Sequence, residues 1–299
     1  MAYILEAENL TKHYGRVKAL TNFSLTVEPG SICGILGPNG SGKTTCLGIM
    51  LGAIKADNGS YEWFGKPASH HTRRRRIGAL LESPNFYPHL SGVENLRVVA
   101  AIKNRGSKNI HTALQTTGLT SRRNSLYRTY SLGMKQRLAI ASTLIVNPEA
   151  LVLDEPTNGL DPQGIAEIRT LITEIGREGK TIILASHLLD EVEKVCTHVV
   201  ILKAGDTIAS GRVSDILGKD NQVEVASENM EALESAAKEI SGLQSCKKEK
   251  DKLVLKFHTN VNTAELNGYF FDKGITLSHL VTKRKSLENL FLELTSSHA

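Results

Sequence analysis

Hydrophobic residues before residue 220 follow two different periods. Short apolar runs of strand length lie at residues 3–10, 23–27, 31–36 and 60–64. Apolar residues at helical spacing follow at 92–103, 109–118 and 131–146, and strands then alternate with helices. This order predicts an α/β fold with a parallel core sheet, an antiparallel β portion and a helical insertion at about residues 86–147.

The pattern changes after residue 220, where a second unit is expected. Strand-like runs lie at 222–226, 243–248, 253–258 and 275–281, and helical runs lie at 229–240, 263–273 and 286–294. The order β-α-β-β-α-β predicts a small ferredoxin-like α+β domain with one added helix. We therefore divide the chain into a domain at 1–220 and an accessory domain at 221–299, which carries no catalytic constellation.

Composition restricts the class of protein further. In 299 residues there is no apolar run near 18 residues, and the first residues lack the basic and apolar regions of a signal peptide. The four cysteines show no metal-type spacing, which favours reduced thiols in the cytoplasm. The net charge of +5 is mild, and the arginine run at 73–76 is more typical of a solvated edge than of a surface for lipid or nucleic acid.

Residues 37–45 carry the strongest chemical signal. They follow the apolar strand at 31–36 and precede a helical stretch, and they fit the pattern G-x-x-x-x-G-K-[ST]. Glycines of such a loop let backbone N–H groups surround phosphates, while the lysine reaches the β- and γ-phosphates and the hydroxyl after it binds Mg²⁺. The residues predicted to bind the nucleotide here are Gly37, Pro38, Asn39, Gly40, Ser41, Gly42, Lys43, Thr44 and Thr45.

A second apolar strand, at 150–154, ends in two carboxylates. Asp154 is expected to hold Mg²⁺, with Thr44 as a further ligand, and Glu155 to polarise the attacking water. Beside a phosphate loop, this arrangement indicates hydrolysis of a nucleoside triphosphate.

Further motifs follow in a fixed order. Residues 130–137 read Tyr-Ser-Leu-Gly-Met-Lys-Gln-Arg before the acidic strand, residues 156–162 read Pro-Thr-Asn-Gly-Leu-Asp-Pro after it, and His187 ends the strand at 181–186. The set resembles the nucleotide-binding domains of ABC transporters over about residues 3–215.

The resemblance implies a role for five further residues. Tyr14 would stack on the adenine of ATP. Ser131 and Gly133 would reach the γ-phosphate held by a second copy of the domain, with Asp161 at the interface between the copies. His187 would contact the γ-phosphate and orient the water beside Glu155.

The chain departs from the usual pattern of that family at three positions. Leu132 replaces the first glycine of the signature segment and Met134 replaces its glutamine. Glu82 stands where the family usually has a glutamine that contacts Mg²⁺ and the water. An ionised carboxylate binds Mg²⁺ more strongly than an amide does, so Glu82 is predicted as a metal ligand.

Glu82 and the signature together resemble the ATPases of bacitracin- and lantibiotic-resistance exporters. The resemblance implies an ATP- and Mg²⁺-dependent homodimer that drives a separately encoded membrane permease from the cytoplasmic face of the membrane, with no nucleic acid as partner. Three alternatives stay open: an ABC ATPase acting on nucleic acid or ribosomes, an exporter of another cargo, and a nucleotide-dependent scaffold with weak turnover.

Overall fold

The structure is a computed structural model that describes residues 3–67, 75–81, 86–218, 222–259, 261–283 and 286–296. The chain divides into two compact units, Met1–Val213 and Ser214–Ala299. The division lies a few residues before the boundary at 220 expected from the sequence.

The first unit contains two sheets joined by helices. Its strands are β1 (Leu5–Tyr14), β2 (Val17–Val27), β3 (Ile32–Leu36), β4 (Asn58–Trp63), β5 (Lys66–Pro67), β6 (Ile77–Leu80), β7 (Ala150–Asp154), β8 (Thr181–Ser186), β9 (His198–Lys203) and β10 (Asp206–Arg212). Its helices are α1 (Lys43–Met50), α2 (Gly92–Ile102), α3 (Ile110–Thr116), α4 (Leu132–Leu144), α5 (Pro162–Arg177) and α6 (Leu189–Val195).

The larger sheet has the order β10-β9-β3-β8-β7-β6 and is parallel except for β10. Every residue of β3, β7 and β8 is buried. A parallel strand covered on both faces needs a continuous apolar sequence, which explains the unbroken runs that predicted these strands. The parallel core sheet is thus confirmed.

The smaller sheet has the order β2-β1-β4-β5 and is antiparallel. The hairpin from β1 to β2 turns at Gly15, which has φ +59°. Both strands extend further toward this turn than the sequence indicated, because their outer halves are largely polar and exposed. Apolar periodicity therefore marks only the buried part of the hairpin.

The helical insertion contains α2, α3 and α4, as predicted. Ser91 begins α2 with a capping box, in which its hydroxyl accepts from the Glu94 N–H while the Glu94 carboxylate accepts from the Ser91 N–H. Among the described residues, no helix combines the length and apolar character needed to cross a membrane.

The second unit follows α7 (Val213–Leu217), which spans the division. Its elements are β11 (Gln222–Ser227), α8 (Met230–Lys238), β12 (Leu243–Glu249), β13 (Lys252–Phe257), α9 (Thr263–Asp272), β14 (Leu277–Thr282) and α10 (Leu287–Ser296). The antiparallel sheet has the order β12-β13-β11-β14, and its core includes Val223, Leu255 and Phe270. The ferredoxin-like topology is confirmed.

Candidate functional site

The site lies where three parallel strands of the first unit end. β8 lies between β3 and β7, so that Leu36, Ser186 and Asp154 stand at one edge of the sheet. Ligands of parallel sheets bind outside this carboxyl edge. The phosphate loop, the two carboxylates and the strand-end histidine therefore converge by topology.

Two glycines fix the path of the phosphate loop. Gly37 has φ +152°, and a Cβ atom there would lie 2.3 Å from the Leu202 carbonyl oxygen. Gly42 has φ +106°, and its Cβ would lie 2.3 Å from the Ala19 carbonyl oxygen. Both glycines are required by close backbone contacts as well as by dihedral angle.

Lys43 begins α1 and points back under the loop. Its side chain is only 6% exposed, and its Nζ donates to the carbonyl oxygens of Gly37 at 2.7 Å and Pro38 at 3.2 Å. The same Nζ lies 3.3 Å from Oε1 of Glu155. The lysine thus connects the loop to the carboxylate that directly follows β7, which is two strands away from β3 in the sheet.

The other residues of the loop differ in exposure. Pro38, Asn39 and Gly40 are exposed at its tip, and Thr45 is half-buried in α1. Ser41 is 2% exposed, and its hydroxyl has no hydrogen-bond partner among the described residues. A buried hydroxyl without a partner is uncommon, which makes Ser41 a candidate contact for a ligand oxygen.

The Thr44 hydroxyl donates to Oδ2 of Asp154 at 2.8 Å. A hydroxyl and a carboxylate oxygen at this distance are the hard oxygen ligands that Mg²⁺ prefers, and Mg²⁺ usually takes one or two of them together with phosphates and water. Within the described residues, no group of three or more histidines, cysteines or carboxylates forms a metal site by itself. The pair fits a cation that is completed by a phosphate ligand.

Glu155 has an unusual backbone. Its φ of +47° lies in the left-handed region, which is uncommon for residues other than glycine, and its N–H donates to the Ala185 carbonyl at 2.9 Å. Its Oε2 lies 2.8 Å from Nδ1 of His187. Strain of this kind is found at functional sites, where the surrounding contacts hold the residue in place.

The packing beneath the loop is apolar. Cys33 on β3 and Cys46 on α1 are both buried. Burial raises the pKa of the Cys33 thiol to about 12, and it raises the pKa of Cys46 well above its ordinary value, with a further increase from the nearby Cys33. These thiols stay neutral and pack as small apolar side chains.

Tyr14 ends β1 and is 49% exposed, and its described ring contact is with Lys12, whose Nζ lies 5.5 Å from the ring centroid. An exposed aromatic ring is available for stacking. Glu82 lies outside the described residues, so its predicted position at the metal stays a prediction.

The remaining predicted residues lie in a different place. Ser131, Gly133 and Asp161 line a cavity of about 450 Å³, and Lys43, Glu155 and His187 are not among its lining residues. The Ser131 hydroxyl caps α4 by accepting from Met134 N–H at 3.2 Å. The Asp161 carboxylate caps α5 by accepting from Gly164 N–H at 2.8 Å. The predicted site residues therefore form two groups within one chain.

Sequence reasoning missed some of the contacts that organise this region. It did not identify the carbonyl groups that hold Lys43, or the ion pair between Arg137 and Glu167 at 2.5 Å. The backbone contacts leave no signal in side-chain identity. The ion pair joins residues 30 positions apart, and a charge pair at that separation cannot be recognised without the fold.

The chain is similar to proteins of known family. The profile of the ABC transporter family matches residues 20–158. A bacitracin transport ATP-binding protein of Enterococcus faecalis is 33% identical over 298 residues, which is 98% of this chain and 97% of that protein. A lantibiotic transport ATP-binding protein of Streptococcus pyogenes is 38% identical over 205 residues, covering 69% of this chain and 89% of the relative. The dimeric structure of a bacterial ABC transporter cassette has a TM-score of 0.63 at 27% identity, covering 70% of this chain and 99% of the cassette.

Proposed function

The chain belongs to the ABC transporter family of ATP-binding proteins, and we propose that it works as a Mg²⁺-dependent homodimer that powers a membrane exporter of an antimicrobial peptide or drug. ATP is bound by proteins of this family, and the chain is accordingly an ATPase. The metal, the dimer, the permease and the cargo are the proposed parts.

One observation carries the hydrolytic part of the proposal. Lys43, the Thr44–Asp154 pair and the Glu155–His187 pair meet at the carboxyl edge of a single sheet, where each pair is within hydrogen-bond distance and Lys43 is within ion-pair distance of Glu155. Phosphoryl transfer needs little covalent chemistry from the protein, because positioning and charge stabilisation supply most of the catalysis. The residues described above can supply both the positioning and the charge stabilisation.

The residues have distinct tasks. Bound Mg-ATP supplies the electrophilic γ-phosphate. Lys43 and the N–H groups at the start of α1 bind its oxygens, and Thr44 and Asp154 hold the metal. Glu155 accepts the proton of the attacking water at a carboxylate oxygen, while His187 holds that carboxylate through Nδ1 and can contact the phosphate through Nε2.

The dimer is supported by the division of the predicted site residues into two groups. Ser131, Gly133 and Asp161 line a cavity whose lining includes no residue of the same chain's phosphate loop. We assign them to the site of a second copy, with Ser131 and the start of α4 directed at its γ-phosphate. The likeness to a dimeric ABC transporter cassette supports this assignment.

The cargo and the permease are supported by the relatives. The two relatives are named as bacitracin and lantibiotic transport proteins, which favours transport over the alternative of a protein acting on nucleic acid or ribosomes. Closing and reopening of the dimer would drive alternating access in a separate membrane protein.

Copurification of a permease from membranes, and loss of bacitracin or lantibiotic resistance in cells carrying Glu155→Gln, would test this part.

The chemical test is Glu155→Gln. We expect turnover to fall by roughly 10²-fold or more while ATP binding is retained, because the amide cannot accept the proton from water. Glu149→Gln is the matched control, since Glu149 precedes the same strand and forms an exposed ion pair with Arg76. Turnover close to that of the unmodified protein in Glu155→Gln would refute the assignment of the base.

A further inference from the structure

Two close approaches connect the signature segment, residues 130–137, to the loop at 156–161 and to α5, which follows that loop. The first involves Leu132, one of the departures from the family pattern. Although Leu132 is 52% exposed, its Cδ2 lies 3.4 Å from the position of a Cβ atom at Gly159. Gly159 has φ +75°. The leucine therefore covers a loop residue that has no side chain of its own.

The second is an ion pair between the sixth residues of α4 and α5. Nη2 of Arg137 on α4 lies 2.5 Å from Oε2 of Glu167 on α5, and Nη1 donates to the Thr117 carbonyl at 3.4 Å. The other Glu167 oxygen accepts from Gln163 at 3.1 Å. Hydrogen bonds from Gln163 and then from Arg137 lower the pKa of Glu167, so it stays ionised at neutral pH.

Each contact is close to the start of a helix that carries a predicted site residue. Ser131 caps α4 and Asp161 caps α5. A helix moves as a rigid element over a few turns, so a link between α4 and α5 fixes the distance between their two N-termini. The cavity lined by Ser131, Gly133 and Asp161 lies between these N-termini.

We propose that Leu132 and the Arg137–Glu167 ion pair are positioning elements that hold Ser131, Gly133 and Asp161 as one preformed surface for the second copy. This proposal rests on the shared-site dimer proposed above. Neither Leu132 nor the ion pair touches the chain's own phosphate loop. They act on the affinity between copies, and they leave nucleotide binding by each copy unchanged.

The chain offers a matched control for the ion pair. Arg169 lies on α5, as Glu167 does, and pairs with Glu191 at 2.9 Å, and both ion pairs are partly exposed. It has no contact with the signature segment among the described residues. Glu167→Gln removes the pair with Arg137. Glu191→Gln, on α6, removes the pair with Arg169 and a longer one with Lys194 at 3.5 Å, so an effect that came only from a lost ion pair on α5 would appear in both variants.

The experiment measures dimerisation by sedimentation in the Glu155→Gln background, with titrated Mg-ATP. We expect Glu167→Gln to raise the dimer dissociation constant about fivefold or more, since two copies of the pair act in each dimer, and Leu132→Gly to do the same. Glu191→Gln should leave it unchanged. The affinity of the monomer for a fluorescent ATP analogue should be equal in all variants.

Charge reversal gives a second readout. The double variant Arg137→Glu with Glu167→Arg should recover most of the dimer affinity, because it restores the ion pair in the opposite direction. Equal dimer affinity in Glu167→Gln and Glu191→Gln, or loss of nucleotide binding by the Glu167→Gln monomer, would overturn the positioning role. A Glu155→Gln parent that stays monomeric in Mg-ATP would instead remove the shared-site dimer, and this proposal with it.

Discussion

The two groups of site residues are organised in opposite ways. Around the phosphate loop, Lys43, Thr44 and Glu155 each contact a residue of another segment, and Lys43 is almost completely buried. Around the signature segment, the side chains of Ser131 and Asp161 each accept a hydrogen bond from the first turn of their own helix, and the large apolar side chain of Leu132 is about half exposed.

The difference indicates which group of residues is complete within one chain and which needs contacts from another molecule. In the first group, Glu155 is paired with Lys43 and His187 of the same chain, so the geometry of these three residues is fixed within one chain. The second group presents polar and apolar atoms around a cavity without a partner charge at its centre, which is the expected arrangement for a surface that is completed by another molecule. The first group is therefore organised by contacts among its own charged residues, whereas the second is organised by helix caps and by the proposed link between α4 and α5, and its cavity stays open.

The strongest test of this contrast is Lys43→Ala. We expect nucleotide affinity to fall roughly tenfold or more, because a charge-assisted hydrogen bond to phosphate is lost. Lys55→Ala is the control, since Lys55 is an exposed lysine shortly after α1. Titration calorimetry of the isolated protein measures both. Unchanged nucleotide affinity in Lys43→Ala would show that the group of residues around the phosphate loop does not bind the nucleotide through Lys43.

Alanine at two glycines sharpens the contrast. Gly42→Ala should disrupt the loop and weaken ATP binding several-fold, because its Cβ would lie 2.3 Å from a carbonyl oxygen at a strained φ. Gly133→Ala meets nothing within 4 Å in one chain, so monomer stability and nucleotide affinity should be unchanged.

Sedimentation of both variants in the Glu155→Gln background completes this test. Gly133→Ala should weaken the dimer because the added methyl group meets the second copy. If Gly133→Ala instead lowered the melting temperature as much as Gly42→Ala does, the signature surface would not be open in the monomer.

The smallest expected effect concerns the thiols. Burial raises the pKa of the Cys33 thiol to about 12 and raises the pKa values of Cys46 and Cys196 well above their ordinary value, so these thiols stay protonated and covered at pH 8. A thiol reagent should therefore modify the half-buried Cys246 first, and all four cysteines after urea unfolding.

The same pKa shift makes stability depend on pH in a stated direction. The native thiols stay neutral while the unfolded ones ionise near their ordinary pKa of 9.0, so the contribution is complete below about pH 9 and is lost as the pH rises above it. Urea midpoints at pH 7 and pH 10 check the sign. Rapid modification of Cys33 in the native protein would show that the packing under the phosphate loop is looser than described.

Sequence predicted the regular and buried parts of this molecule well. The strands at the carboxyl edge, the insertion helices and the ferredoxin-like topology follow from apolar runs, and the fold and family are confirmed. The outer half of the β1–β2 hairpin was missed because polar residues on both faces carry no period. The domain boundary and the roles of individual site residues stay predictions.

Details of the site were harder to predict for a physical reason. The left-handed backbone of Glu155 occurs together with a hydrogen bond from its N–H to the Ala185 carbonyl on another strand, and no residue preference encodes it. Helix capping by Ser131 and Asp161 is different, because a cap depends only on residues close in sequence and can be predicted from them. The ion pair of Arg137 with Glu167 depends on how two helices pack and cannot be predicted in this way.

The close approaches at Gly37 and Gly42 have a consequence for how this chain can change over evolutionary time. Both glycines face main-chain oxygens, those of Leu202 and Ala19, and every amino acid carries the same oxygen. The close approach to the loop therefore does not depend on which side chain stands at position 19 or 202, although Leu202 is held by its own burial in the core. The two glycines themselves cannot be replaced in this way, because any other residue would place a Cβ atom against a main-chain oxygen.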